Sequence, residues 1–340
     1  MDFLAIRRFP QRPLAALILA GAFVSIPALA DDPPAEQKPL PTALVDALNK
    51  LSGGPHAGYR ANHAKGVMVT GSFTPTKQAA TLSKAPHFKH KVPVTVRFSD
   101  TTGVPNLPDA DPHASPHGIA IRFQLPGGAT TDIVSISANG FPVSKPEDFL
   151  ALLQAIAASG QNVPHPTPVE QFLGSHPAAM KFVTTPRPAP ESFATLAFYG
   201  VNAFKFTNAK GKSCYIRYQI LPVAGEHALS AEDSAKAAPN YMMDELPARV
   251  AKGPVKFRLL AQIANEGDTV DDATAVWPDT NKTVELGTIT LDHTVADQAG
   301  EQKKILFNPV SLPAGIEASA DPVLAARFPA YAVSYGQRAQ

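Results

Sequence analysis

The stretches VPVTVRF at residues 92–98, GIAIRFQL at 118–125 and TDIVSIS at 131–137 decide the fold of this chain. Each is rich in β-branched and aromatic residues, and most of their positions alternate between apolar and polar, which is typical of strands with one buried face. Further runs with the same character are TLAFYGVNAFKF at 195–206, SCYIRYQIL at 213–221, VKFRLLAQI at 255–263 and VELGTITL at 284–291. Together they predict a large antiparallel sheet.

Helical patterns separate these strands at 76–84, 146–158 and 231–251. Seven or eight antiparallel strands interrupted by helices favour a closed barrel, with a sandwich as the alternative. The stretches 101–117 and 161–192 are rich in proline and lack periodicity, so we expect long loops that wrap around something. We predict a β-dominated α+β fold: a closed antiparallel β-barrel of about eight strands with inserted helices and long wrapping loops.

Composition narrows the functional classes. The 340 residues carry 30 Lys and Arg against 29 Asp and Glu, and 44% of them are hydrophobic. Such a chain is not intrinsically disordered, which requires low hydrophobicity and high net charge. It also lacks the basic surplus expected of a nucleic-acid-binding protein, so we expect no nucleic acid partner. Cys214 is its single cysteine, so no intrachain disulfide can form and the core must provide the stability.

The first thirty residues have the features of a secretory signal peptide. Arg7, Arg8 and Arg12 precede an apolar run, and Ala28-Leu29-Ala30 ends the stretch as a small-x-small cleavage site. We expect residues 1–30 to be removed and the mature protein to be periplasmic or secreted, with no membrane span. An N-terminal membrane anchor is the alternative, and the sequence leaves the export route, general or twin-arginine, open.

Two groups of residues could carry chemistry on spacing alone. His87 and His90 form an H-x-x-H pattern of the kind that zinc sites use, but no nearby cysteine or carboxylate completes a site, so we interpret the stretch as a solvated loop. Arg327 and Tyr331 lie four residues apart, and on a helix they would share one face. An arginine there would favour an ionised phenol.

The ordered set of motifs resembles the haem catalase family. The segment Arg60–Gly66 (RANHAKG) is similar to the family's distal-histidine motif, and Val96-Arg97-Phe98-Ser99 is similar to its Arg-Phe-Ser strand. Arg327-x-x-x-Tyr331 is similar to the signature of the proximal haem helix. Further motifs continue in the family's order: Asp109 through Phe123, Val201–Phe204, Val284–Gly287, Phe307–Pro309 and Pro313–Ser319.

The resemblance runs from about residue 55 to 338, and it sets the expected organisation. It implies a lead-in at 31–54, within which a short helix is predicted over 43–51. One catalase-like haem-binding barrel follows at 55–340, with a proximal haem helix near 321–338. Because the chain ends soon after Tyr331, it resembles the short, exported catalase-related peroxidases. We expect a monomer or dimer, since the long arms that lock larger catalases as tetramers have no counterpart here.

The resemblance also implies roles for individual residues. His63 would be the distal acid and base, moving the peroxide proton to the leaving oxygen. Tyr331 would be the axial ligand of the haem iron, with Arg327 keeping its phenol ionised, and Tyr335 is the weaker alternative ligand. Residues expected to bind the haem or to orient the distal histidine are Arg60 and Arg97 at the propionates, Ser99 beside His63, and Phe123 and Phe141 in the pocket wall.

One departure from the family affects the expected activity. Catalases carry a distal asparagine that helps to bind the second hydrogen peroxide, and the corresponding position, taken as five residues after Asp132, is Ser137. Asn139 could fill the role only with a shift. The sequence therefore predicts a haem b peroxidase that reduces hydrogen peroxide or organic hydroperoxides with an external small-molecule electron donor and has weak catalase activity. A small true catalase, a non-catalytic haem-binding module and a barrel without haem are the alternatives.

Overall fold

The structure of the protein is a computed structural model that describes residues 38–339. The signal peptide predicted at 1–30 lies outside the described residues. Ten strands form within them, and most coincide with the alternating runs of the sequence: β1 (Gly66–Pro75), β2 (Val92–Ser99), β3 (Gly118–Gln124), β4 (Thr130–Ile136), β5 (Phe198–Tyr199), β6 (Phe204–Thr207), β7 (Ser213–Pro222), β8 (Val255–Ile263), β9 (Thr283–Thr294) and β10 (Ile316–Ala318).

The sheet closes into a barrel through antiparallel pairs. Its strand order is β10-β6-β7-β5-β4-β3-β2-β1-β9-β8, and β7 pairs with β8 as well, so the eight strands from β7 round to β8 form a ring. Strands β6 and β10 extend the sheet beside β7. Closure leaves no free edges in the ring, which removes the unpaired backbone groups that an open sheet would expose. The predicted closed antiparallel barrel is confirmed.

Helices lie in the connections and after the last strand. Those of the described residues are α1 (Leu40–Ser52), α2 (Ala79–Leu82), α3 (Pro146–Ala157), α4 (Pro168–Ser175), α5 (Pro177–Thr184), α6 (Ala231–Lys236), α7 (Tyr241–Lys252), α8 (Gln298–Lys304) and α9 (Pro322–Ala339). None of the helices formed by residues 38–339 is both long and apolar enough to cross a membrane.

Several elements differ from the sequence-based expectations. Residues 195–206 form two short strands with a break between them, and the helix expected over 231–251 is divided in two near Pro239. Helices α4 and α5 occupy the stretch 161–192 that was expected to be a loop; both start at a proline, which is tolerated in the first helical turn. Strand β1 was missed, although GVMVTGSF also alternates.

The barrel interior is filled by aromatic rings. Phe73 and Phe123 meet edge to face with ring centroids 5.3 Å apart, and Phe98 packs against Phe198 and Phe257 at 5.8 and 5.7 Å. His87 is 1% exposed and lies among these rings, so the solvated loop expected around it is wrong at this residue. Pro86-His87-Phe88 forms a short 3₁₀ turn that places both rings in the core.

Candidate functional site

A cavity lies on the outer face of the barrel wall formed by β2, β3 and β4. Helices α1, α3 and α9 and the segment around His63 complete its lining. The strand registers place two rows of side chains on this face: Ser99, Gly118 and Ile136 in one, and Arg97, Ala120 and Val134 in the other, listed in strand order. Because successive strand residues point to opposite faces, the intervening residues fill the barrel interior instead.

His63 enters the cavity from the segment before β1. Its backbone has a φ of 56°, a left-handed conformation that is unfavourable for a residue with a side chain. Its Nδ1 lies 3.0 Å from the carbonyl oxygen of Asp100 and 3.1 Å from Ser99 Oγ. A carbonyl only accepts, so Nδ1 carries the proton and Nε2 is the basic nitrogen.

Two features hold the imidazole in this place. Gly118 lies beside the ring, and a Cβ there would be 2.8 Å from Ser99 Oγ and 2.9 Å from His63 Cε1. The Arg97 guanidinium donates to the carbonyl oxygens of His63 and Ala64 at 2.9 and 3.0 Å. Burial, together with the charge of Arg97, lowers the pKa of His63 to about 3. The neutral imidazole is therefore the resting form at neutral pH.

Helix α9 supplies the opposite side of the site. Residues three, four and seven apart on it form one stripe toward the cavity: Val323, Ala326, Arg327, Ala330, Tyr331, Ser334 and Arg338. Arg327 Nε donates to the phenol oxygen of Tyr331 at 3.0 Å. The expected geometry of an arginine and a tyrosine on one helical face is present, with small alanines beside the phenol.

The guanidinium of Arg327 is held by two further contacts. It donates to Asn202 Oδ1 at 2.7 Å and to the carbonyl of Val134 on β4 at 3.1 Å. Asn202 in turn donates to Asp321 at 2.7 Å, and Asp321 accepts from the backbone N–H of Val323 at the start of α9. This network joins the helix to the barrel and fixes the group that faces Tyr331 Oη.

Three arginines gather at one edge of the cavity. Arg60 and Arg338 both donate to the carbonyl of Ile305, at 3.1 and 2.6 Å, and Arg97 donates to Gln302 Oε1 at 2.8 Å. Within residues 38–339 none of the three forms a salt bridge. Burial and the neighbouring Arg338 lower the pKa of Arg97 to about 9, and burial lowers that of Arg338 to about 10. Such a cluster favours an anionic ligand.

The rest of the cavity wall is mostly apolar. Helix α1 contributes Leu44, Val45 and Leu48, and the remaining apolar lining includes Val134, Ile136, Phe141, Phe149, Val201 and Phe307. The wall thus suits a flat apolar ring whose acidic groups meet the arginines. A haem would suit this lining: Tyr331 would supply an oxygen ligand for its iron, His63 would supply an acid–base group, and the arginine cluster would bind its two propionates. The residues present therefore fit a haem.

Most of the sequence-predicted site residues are brought together by the structure. The cavity is lined by seven of them: Arg60, His63, Arg97, Ser99, Phe141, Arg327 and Tyr331. Phe123 is a correction, because it is fully buried inside the barrel against Phe73 and His87. The period of the strand explains this: Ile119, Ile121 and Phe123 share the inner face, opposite Gly118 and Ala120.

The asparagine expectation also needs correction. Neither Ser137 nor Asn139 is among the residues that line the cavity. Ser137 lies beyond the end of β4, where its hydroxyl accepts from the backbone N–H of His117. The residue beside Val134 on the cavity face is Ile136, at an even spacing from Asp132. An odd spacing, as was taken for Ser137, selects the opposite face of the strand.

Sequence reasoning missed other residues of the site. Arg338 lies seven residues after Tyr331, two helical turns along the same stripe, and that spacing could have identified it. Asn202 was recognised only as part of the Val201–Phe204 motif and Asp321 only as the start of the expected proximal helix, and neither carried a role. The apolar residues of α1 gave no signal beyond helical periodicity, because which element they cover is decided by the tertiary fold.

Comparison with known proteins agrees with this geometry. The family model described as Catalase matches residues 56–339. A catalase-related peroxidase of Mycolicibacterium paratuberculosis is 36% identical over 298 residues, covering 86% of this chain and 93% of its own length. A catalase-related peroxidase of Synechococcus elongatus is 32% identical and covers 84% of this chain and 85% of its own length.

Solved structures show the same fold. A fungal catalase superposes with a TM-score of 0.74 at 23% identity, covering 87% of this chain and 62% of the fungal chain. A bacterial catalase superposes with a TM-score of 0.72 at 22% identity and covers 84% of this chain and 58% of its own. The resemblance inferred from the motifs is confirmed: the chain belongs to the catalase family, and membership of that family implies haem.

Proposed function

We propose that this protein is a haem b peroxidase that reduces hydrogen peroxide or organic hydroperoxides with an external electron donor and has weak catalase activity. The overall reaction takes a peroxide, two electrons and two protons to an alcohol or water and a further water. The observation that carries the proposal is the cavity itself, with His63 on one side, the Arg327–Tyr331 pair on the other, and Ile136 on the wall beside the histidine.

On the distal side the proton transfers fall to His63. Its Nε2 is unprotonated because Nδ1 donates to the Asp100 carbonyl, so it can take the proton of an incoming peroxide. Returning that proton to the far oxygen converts a poor leaving group into water or an alcohol. A low pKa suits the second step, since an imidazolium in this environment releases its proton readily.

On the proximal side Tyr331 and Arg327 would hold the cofactor. A haem bound here would supply an iron able to donate electrons to the O–O bond. Arg327 Nε donates a hydrogen bond to the phenol oxygen and so fixes the position of the atom that would bind the iron. The arginine cluster of Arg60, Arg97 and Arg338 supports binding of the two propionates.

The peroxidase assignment, as opposed to a catalase, depends on Ile136. Catalase activity requires a second hydrogen peroxide as reductant, and a polar group beside the distal histidine helps to bind it. Here the neighbouring wall positions are Val134 and Ile136, which offer no hydrogen bond from their side chains. His63 alone remains for proton transfer, which suffices for O–O cleavage. An apolar wall also favours hydroperoxides with an alkyl group.

The test is to measure oxygen evolution and dye oxidation side by side on the haem-loaded protein. We expect peroxide-dependent dye oxidation with little oxygen release, and higher oxygen release in Ile136→Asn. Leu48→Asn, which places an amide elsewhere in the lining, is the matched control. Rapid oxygen evolution by the wild type would instead identify a true catalase. Haem binding without either activity would identify a binding module, and a protein without a Soret band would contradict the whole proposal.

We also propose that the protein is exported and acts as a monomer or dimer. The support for export is the arginine-rich start, apolar run and small-x-small site of residues 1–30. Cell fractionation with N-terminal sequencing tests it: a mature chain in the periplasm or medium beginning at Asp31 is expected. Full-length protein retained in the cytoplasm would contradict export, and the sedimentation coefficient of the product would test the oligomeric state.

A further inference from the structure

Behind His63 lies a buried network of ionisable groups that the proposed reaction does not use. It consists of Asp100, Asp109, His117 and Lys65, which are 9% exposed or less. Lys65 donates to Asp109 and to the carbonyls of Leu107 and Pro239, and it lies 3.9 Å from Asp100 Oδ2. His117 Nδ1 lies 3.0 Å from Asp100 Oδ1. Groups of this kind are costly to bury, so their presence needs a reason.

Asp100 connects the network to the distal histidine. Its own backbone carbonyl receives the Nδ1 proton of His63, while its carboxyl group meets His117 and Lys65. Lys65 comes two residues after His63, and His117 immediately precedes Gly118, the residue whose missing Cβ makes room for the ring. One side chain thus ties together the two segments that hold the imidazole.

The charges of the network do not balance. Two carboxyl groups face one lysine, and Asp100 Oδ2 has no hydrogen-bond partner among the described residues although it is buried. The other charged or titratable groups around the network are Arg97, His63 and Tyr241. Burial raises the pKa of Asp100 and of Asp109 to about 6, and lowers that of His117 to about 4. The two carboxyl groups can therefore share a proton below about pH 6 while His117 stays neutral.

We propose that Asp100 is a positioning residue for His63: its ionised carboxyl group, fixed by His117 and Lys65, orients and strengthens the carbonyl that accepts the Nδ1 proton. The carboxylate and the carbonyl belong to the same residue, so the negative charge makes the carbonyl a better acceptor. That stabilises the imidazolium formed while His63 carries the peroxide proton. A buried aspartate supports the catalytic histidine of a serine protease by the same physical logic, there by direct contact.

The role would appear in the pH dependence of the first step with peroxide. As pH falls through about 6, the carboxyl group takes up a proton, the charge behind the carbonyl is lost, and His63 becomes a weaker base. The bimolecular rate constant for the reaction with peroxide should therefore fall across this range in the wild type. Burial keeps the pKa of His63 itself near 3, so its own titration lies below this window.

The proposal is tested with Asp100→Asn in the haem-loaded, full-length protein. An asparagine keeps the shape of the side chain and can still accept from His117, but it carries no charge at any pH. We expect the peroxide rate constant to be about tenfold lower at pH 7 and nearly constant from pH 5 to 7. Asp111→Asn is the matched control, because Asp111 forms a similar pair with His113 at the surface; its profile should match the wild type.

Cyanide binding gives a readout that needs no turnover. Hydrogen cyanide must give up its proton on binding, so a weaker distal base should lower its affinity by a similar factor in Asp100→Asn. This inference rests on the proposed function, and cyanide separates the two: wild-type protein that binds cyanide but ignores peroxide refutes the function alone. A wild-type rate constant that is flat from pH 5 to 7 overturns the role of Asp100, as does an Asn variant whose rate and profile match the wild type. The first of these holds even if the variant fails to fold.

Discussion

The two sides of the cavity hold their chemical groups by different physical means. On the proximal side Tyr331 and Arg327 lie one turn apart on an 18-residue helix, and Asn202, Asp321 and the wall of β4 brace the guanidinium. On the distal side His63 stands on an irregular segment with a positive φ, fixed by a single carbonyl, a hydroxyl and the absence of a Cβ at Gly118.

The difference follows from what each side must do. A metal ligand needs to remain in one place, and a helix with a charge network provides that. An acid and base must gain and lose a proton, so the groups that touch its ring must tolerate both protonation states. We therefore expect proximal substitutions to affect cofactor retention and distal substitutions to affect reaction rates. Three variants test this division, and a fourth compares His63 with a histidine buried in the core.

The largest effect is expected for His63→Ala, which removes the only imidazole lining the cavity among the described residues. Because general acid–base catalysis contributes about 10²- to 10⁴-fold, the rate constant for reaction with peroxide should fall about 10³-fold. Haem content, measured by the Soret absorbance per chain, should be unchanged. His113→Ala, at an exposed histidine, should be silent. Loss of haem in the His63 variant would contradict the division of roles.

Tyr331→Phe removes the proximal oxygen while keeping the ring. Loss of outer partners of a metal ligand costs about 10- to 100-fold in affinity, so loss of the ligand itself should weaken haem binding by about 100-fold or more. Transfer of haem to an excess of an apo-protein acceptor measures this. Tyr335→Phe is the control on the same helix, one turn further on. Equal haem loss in both variants would show that Tyr331 is not the ligand that retains the haem.

His87→Leu sharpens the contrast between a working histidine and a structural one. Burial alone lowers the pKa of His87 to about 3, so the folded state binds fewer protons than the unfolded state below about pH 6.5. Stability is therefore lost as the pH falls. Between pH 7 and pH 5, the free energy of unfolding of the wild type should therefore fall by about 2 kcal/mol more than that of His87→Leu. Chemical unfolding at both pH values measures the difference, which should vanish in the exposed-site control His90→Leu.

Gly118→Ala should give the smallest change. The added Cβ would approach Ser99 Oγ and His63 Cε1 within 2.9 Å, so the imidazole must shift by a few tenths of an ångström. A misplaced catalytic group of this size should reduce the peroxide rate constant about tenfold and leave haem content intact. Gly160→Ala, which meets open space, is the matched control. A Gly118 variant with wild-type kinetics would show that the ring is not held by close packing.

Local sequence patterns predicted the strands correctly where the apolar residues of an alternating run all lie on the buried face. The alternating runs at 92–98 and 255–263 became β2 and β8 almost without change, because both are barrel strands with one face inside. The segments RANHAKG and Arg-x-x-x-Tyr were assigned to one site from the family resemblance. No local pattern in either segment predicts that they meet. Proline content misled at 161–192, since a proline at the first helical position starts a helix as readily as it ends one.

The errors at the site concern which face of a strand a residue occupies, and similarity to a motif does not settle this. Phe123 and Ser137 were assigned by motif or distance along the chain, whereas the parity of the strand decides which side they occupy. The role of Asp100 could not be found from sequence at all. Only the fold brings Lys65 and His117, from separate segments, to its carboxyl group, and it places Asp109 against the same lysine.

A hydrogen bond joins the distal segment directly to the proximal helix: the backbone N–H of Ala61 donates to Ser334 Oγ on α9 at 3.1 Å. Its consequence concerns the exchange of backbone hydrogens with solvent. Exchange of the Ala61 amide requires this bond to break, so its protection reports the contact with the proximal helix from a position beside the distal histidine. Only Asn62 lies between that amide and His63, and its exchange rate therefore follows how often the two sides of the site lose this contact.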